Sequence, residues 1–145
     1  MQIRKRWHPI LINLIRKMIS AKNIKRAVNI VNSPNLGITM CQATYAMMGE
    51  DLYEVIPDFA EKIKFIHFRN AVGSKYKFRE SFHDNGILDM GKLLRVSKEN
   101  GVNVPIRVDH VPTVAGEDVK NAGYDALGRL YAIGYLKGFL EGLEN

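Results

Sequence analysis

Only one cysteine, Cys41, occurs in 145 residues, so no disulfide can form within the chain and a hydrophobic core must hold the fold. A lone thiol suits a reducing compartment, and a cytoplasmic location is expected. Long apolar runs are missing as well. The best candidate, residues 10–15, is short and interrupted by Asn13, whereas a bilayer-spanning helix needs ~20 apolar residues. No membrane span is predicted. Acidic residues are absent from residues 1–30, which carry eight Lys and Arg. The other 115 residues hold 13 basic and 15 acidic side chains, so the formal charge of +6 belongs to the N-terminal segment. The body of the chain therefore gives no reason to expect a nucleic-acid partner. A basic helix on a membrane surface is an alternative for the acid-free N-terminus.

Apolar residues make up 46% of the chain, which is enough for the core of one domain. Before Ser20, the residues Ile10, Leu11, Leu14, Ile15 and Met18 follow a helical spacing. A new helix begins at Ser20 as N-cap, with Ile24, Ala27, Val28 and Val31 on one face, and "NSPN" at 32–35 ends it. "LGITMC" (36–41), "IKFIHFRN" (63–70) and 105–111 read as strands. In the second, Ile63, Phe65, His67 and Arg69 fall on one face and Lys64, Ile66 and Phe68 on the other. Helices are predicted around Leu52, Val55 and Ile56, with Pro57 disturbing the turn, at 90–101 with Gly101 as C-cap, and from Tyr124 to Leu143. The last presents Leu127, Leu130, Ile133 and Leu136 on one face, and residues 71–86 read as a polar loop. Strands alternating with helices predict an α/β fold with a parallel sheet, yet three strands make a thin domain. The expectation is a part of something larger.

Each strand finishes in a reactive side chain: Cys41, His67 and Asp109. In a parallel β/α architecture these ends share one rim, so three residues distant in sequence converge there. Thiolate, imidazole and carboxylate are all metal ligands, and mixed S/N/O ligation fits Zn²⁺, Fe²⁺ or Mn²⁺ without choosing among them. Each has a plainer reading alone: a buried small thiol, a satisfied core histidine, and a cap or a partner of Arg107. Their coincidence at consecutive strand ends is what favours a site. His110, adjacent to Asp109, points elsewhere on the rim and suits acid or base work, and Tyr124 offers a second proton donor or a packing aromatic. Arg69 and Arg107 lie two residues from a proposed ligand and either bind an anionic group or balance Asp109. His83, in "SFHDNG", either caps the site or is solvated.

The segments "NSPNLGITMCQATYAMMGED", "IKFIHFRN", "KFRESFHDNG", "PIRVDHVP", "AGED" and "GYDALGRLYAIGYLKG" resemble the mannonate dehydratase family in order and spacing, from about Ala21 to the C-terminus. The resemblance implies a share of a xylose isomerase-like (β/α)8 barrel, about three β/α units in residues 21–145, after a basic segment 1–20 of doubtful homology. It implies a metal-dependent hydro-lyase of hexuronate breakdown that converts D-mannonate to 2-keto-3-deoxy-D-gluconate with Mn²⁺ or Fe²⁺. Cys41, His67 and Asp109 would be ligands, and His110 and Tyr124 the acid and base in either order. Arg69, His83 and Arg107 are candidates for holding the sugar acid.

Family members are more than twice as long, and this sequence corresponds to roughly their last third, without the earlier strands and their further histidine ligand. His8 is not assigned that role, because "RWHPILINLIRK" lacks the acid- and proline-rich surroundings of the family histidine. Completion by self-association or by a complementing N-terminal fragment is one expectation. An inactive fragment or association module of a broken or split gene is the alternative.

Overall fold

The computed structural model describes residues 20–31, 33–117 and 122–144, so the helix expected over 10–18 and His8 lie outside the described residues. Ser20 caps helix α1 (Ala21–Val31), its Oγ accepting from the Asn23 N–H at 3.3 Å. Ala21, Ile24 and Val28 turn inward, whereas Val31 is 65% exposed and leaves the predicted face.

Strand β1 (Ile38–Cys41) runs straight into a short helix, α2 (Gln42–Met47), that the sequence pattern did not reveal. Helix α3 (Leu52–Phe59) follows, capped by the Asp51 carboxylate on the Tyr53 N–H at 2.8 Å. Pro57 removes a donor inside α3, and the helix tightens into a 3₁₀ turn at Ala60–Lys62 before β2 (Ile63–Phe68). Helix α4 (Met90–Glu99) precedes β5 (Ile106–Val108). Gly101, at φ +71°, ends α4: its N–H bonds the Lys98 carbonyl and the Val102 N–H bonds that of Ser97.

The sheet order is β1-β2-β5 with both pairs parallel, so the three strands finish on one side. Met40, Ile66, Phe68 and Val108 alternate inward onto the common core with α1, α3, α4 and α5 (Ala126–Glu144). Cys41, Phe65, His67 and Arg107 alternate to the other, less covered face. One predicted position is corrected. Ile38 pairs with Ile63 but Thr39 pairs with Phe65, so the register slips at Lys64. That extra residue moves Ile63 off the face of Phe65 and His67 and into the core, where it is 2% exposed.

The expected polar loop at 71–86 is also corrected. Residues Asn70–Ser74 (β3) and Lys77–Ser81 (β4) form an antiparallel hairpin with Lys75 and Tyr76 at its tip. Its root is fixed by Asn70, which is fully buried. The amide donates to the carbonyls of His83 (3.0 Å) and Leu88 (2.9 Å) and accepts from the N–H groups of Ala71 (3.0 Å) and Leu88 (3.1 Å). Gly86 is required beside it, since a Cβ there would lie 2.0 Å from Asn70 Oδ1. Asn70→Leu would strand several buried backbone groups, each costing ~1–3 kcal/mol. A loss of about 3 kcal/mol or more is expected from urea unfolding.

Of the predicted face of helix α5, Leu136 is buried, but the rest of that face is not. Gly128, Ala132 and Leu136 are buried, whereas Leu127 (52%), Leu130 (68%) and Ile133 (44%) are exposed. The small residues let the backbone come close: a Cβ on Gly128 would sit 2.8 Å from the Pro112 carbonyl oxygen. None of the described helices is long and apolar enough to cross a membrane.

Candidate metal centre

Cys41 is the last residue of β1, His67 the penultimate residue of β2, and Asp109 the first after β5. Cys41 and His67 are direct register partners, and His67 pairs with Arg107, two residues before Asp109. Side chains at alternate positions share a face, so adjacent parallel strands bring all three together. Their ligand atoms lie within 4.8 Å of one another. Cys41 and His67 are half-buried and Asp109 is 4% exposed.

These residues fit a divalent cation. His67 Nδ1 stands 3.7 Å from Asp109 Oδ2, beyond hydrogen-bond reach. Two donors each ~2.1 Å from a shared ion and ~120° apart would be separated by ~3.6 Å. Cys41 Sγ accepts from the Thr44 hydroxyl at 3.0 Å and faces Arg69 Nη1 at 3.8 Å.

Beside the triad, His110 Nε2 meets the Tyr124 hydroxyl at 2.6 Å. Their loops are tied together by the Val111 N–H, which bonds the Gly123 carbonyl at 3.0 Å. Gly123, at φ +90°, turns the chain so that Tyr124 faces the imidazole; a larger residue would be strained there. Arg107 reaches both groups of the site: Nη2 is 3.7 Å from Asp109 Oδ1 and its guanidinium lies 5.8 Å over the Tyr124 ring.

Arg69 is held elsewhere than expected. Its Nε donates to Glu80 Oε2 at 2.9 Å and its Nη2 to Glu80 Oε1, so it balances Glu80 rather than Asp109. Burial works to lower the Arg69 pKa, but the hydrogen bonds and charge of Glu80, then those of Cys41, outweigh it and hold the group above its ordinary value. Glu80 Oε1 also stands 3.3 Å from His110 Nδ1. Glu80 is not apparent from the sequence because the hairpin that carries it reads there as a polar loop.

His83 is not solvated. Its ring is fully buried, stacks on Phe68 at 4.8 Å and donates from Nε2 to the Phe68 carbonyl at 2.8 Å, while Nδ1 has no hydrogen-bond partner among the described residues. Burial pushes its pKa below the ordinary value, with the Phe68 bond opposing. A lowered folded value contributes stability above the unfolded pKa of ~6.5 that is lost as pH falls through the folded value. In metal-free protein, the urea midpoint of His83→Phe should therefore drop less between about pH 7.5 and about pH 5 than that of the wild type.

The D-mannonate dehydratase (UxuA) family model matches residues 6–145. Mannonate dehydratase 2 of Agrobacterium fabrum is 32% identical over 92% of this chain and 37% of its own. The mannonate dehydratase of Oceanobacillus iheyensis is 34% identical over 90% of this chain and 38% of its own. Among solved structures, the mannonate dehydratase from Streptococcus suis serotype 2 superposes with a TM-score of 0.77 at 26% identity, covering 85% of this chain and 37% of that one. The chain thus spans well under half the length of the curated relatives it matches.

Proposed function

Because the chain belongs to the D-mannonate dehydratase family, we propose that it removes water from D-mannonate, giving 2-keto-3-deoxy-D-gluconate, with Mn²⁺ or Fe²⁺ held by Cys41, His67 and Asp109. The observation that carries this reading is the triad with a hydrogen-bonded acid–base pair beside it. A bound divalent cation would supply Lewis-acid stabilisation of the negative charge that develops on the sugar acid as its C2 proton leaves. One member of the His110–Tyr124 pair takes that proton, and the other gives a proton to the departing C3 hydroxyl, which leaves as water. The enol that results becomes the keto acid. Since one proton is gained and one lost, transfer across the 2.6 Å bond restores the pair for the next cycle. Arg107, 44% exposed at its side chain and on the same rim, is proposed to hold the substrate carboxylate.

Residues 21–145 are further proposed to be the C-terminal part of a (β/α)8 barrel, with the less covered sheet face turned to its interior. The parallel order β1-β2-β5 and the likeness to 37% of a solved mannonate dehydratase support this. Within the described sheet β1 and β5 each pair on one side only. Further strands, from a second copy or a companion polypeptide, are proposed to complete the barrel.

The test is to incubate the purified chain with Mn²⁺ and D-mannonate under reducing conditions and quantify the 2-keto-3-deoxy acid. Metal-dependent product formation is expected. A folded, metal-loaded chain that forms none would overturn the reading in favour of an inactive fragment.

A further inference from the structure

The hairpin β3–β4 brings one carboxylate to the rim that neither the triad nor the acid–base pair accounts for. We propose that Glu80 is the positioning residue of the pair, holding His110 with its proton on Nδ1 and leaving Nε2 to accept from the Tyr124 hydroxyl. The catalytic consequence rests on the dehydratase reading above; the tautomer does not.

The geometry leads there in three steps. Glu80 is gripped by the two-pronged Arg69 guanidinium, with side chains only 20% and 12% exposed. This fixes the orientation of the carboxylate. An ionised carboxylate offers acceptors alone, so the His110 Nδ1 that faces Oε1 at 3.3 Å must be the protonated nitrogen. A neutral imidazole has one N–H, and Nε2 is then bare toward the Tyr124 hydroxyl at 2.6 Å. The arrangement follows the logic by which an acid behind a catalytic histidine sets its tautomer and orientation.

The order of the chain explains why the device is built on a hairpin. Glu80 pairs across with Ala71, the residue after Asn70, at the hairpin's anchored end and away from its exposed tip. Arg69 immediately precedes that root. Glu80 and Arg69 therefore share a backbone held by the buried Asn70 network.

Nitrogen NMR of the ¹⁵N-labelled, metal-free chain reads the tautomer directly, with His110 assigned by comparison with a His110→Asn variant. The wild type should show Nδ1 protonated and Nε2 bare, and Glu80→Ala should shift His110 toward the Nε2–H form. An Nε2–H wild type, or an unchanged tautomer in a folded Glu80→Ala, would overturn the proposal. The wild-type spectrum decides even if the variant does not fold. In turnover, Glu80→Ala should lower kcat about 10–100-fold, the range typical of residues that orient a ligand from behind. Its KM and Mn²⁺ affinity should stay within about 3-fold of wild type. Collapse of metal affinity with kcat per loaded site preserved would instead assign Glu80 to supporting Cys41 through Arg69. A wild type without turnover would sink the dehydratase reading and leave the NMR result standing.

Discussion

Replacing Asp109 by alanine is expected to weaken Mn²⁺ binding by more than about 100-fold, because loss of an outer partner of a metal ligand already costs about 10–100-fold. Asp109 is the carboxylate of the triad and is held at 4% exposure by its place just past β5. Its neighbours at 3.7 Å are His67 Nδ1 and Arg107 Nη2. With the carboxylate gone, a cation at the rim would face Arg107 with a smaller anionic counterweight. Calorimetric titration with Mn²⁺ measures the change. Circular dichroism should show the fold retained, since among the described residues the Asp109 side chain meets only His67 and Arg107 at the rim. Near-wild-type affinity would remove Asp109 from the ligand set.

The second large effect is on turnover. His110→Ala and Tyr124→Phe are each expected to lower kcat by about 10²–10⁴-fold with Mn²⁺ affinity essentially kept, as for removal of a general acid or base. The two groups share one hydrogen bond, so they should act as a unit. The double variant is then expected to fall little further than the worse single one, a non-additivity typical of residues that serve one step. Steady-state kinetics on all four proteins tests this. Independent, multiplying losses would mean that the contact is packing, consistent with the edge-on ring arrangement at 4.5 Å.

The triad was visible in the sequence because strand periodicity is rigid. Cys41, His67 and Asp109 each sit at the end of an apolar run, and parallel pairing leaves such ends nowhere to go but one rim. The adjacent Asp109 and His110 were separable for the same reason: neighbours on an extended chain point apart. Glu80 was hidden because its hairpin has no apolar alternation and turns at Lys75-Tyr76 rather than at an Asn-Gly pair. The positive φ that shapes it belongs to Gly73, two residues before the tip.

Local sequence also misjudged two packing faces. The slip at Lys64 reverses Ile63, and nothing in "IKFIHF" marks where a bulge falls. In α5 the large side chains Leu127, Leu130 and Ile133 suggested the buried face, yet the chain packs through Gly128 and Ala132. Close approach of two backbones selects small residues, and hydrophobic periodicity weighs large ones. Gly91 likewise leaves room for a ring, since a Cβ there would lie 2.2 Å from Phe139 Cε1 in the contact between α4 and α5. His83 was misread because its loop is polar, whereas its stacking on Phe68 depends on the Asn70 network that folds residues 83–88 back.

The central claim is that three strand ends form one cation site, and locating the ion tests it most directly. Crystals of the chain grown with Mn²⁺ under reducing conditions, measured at the manganese absorption edge, should show one strong anomalous peak within bonding distance of Cys41 Sγ, a His67 ring nitrogen and an Asp109 carboxylate oxygen. A manganese-loaded crystal with no peak there, or with the peak on other residues, would contradict it.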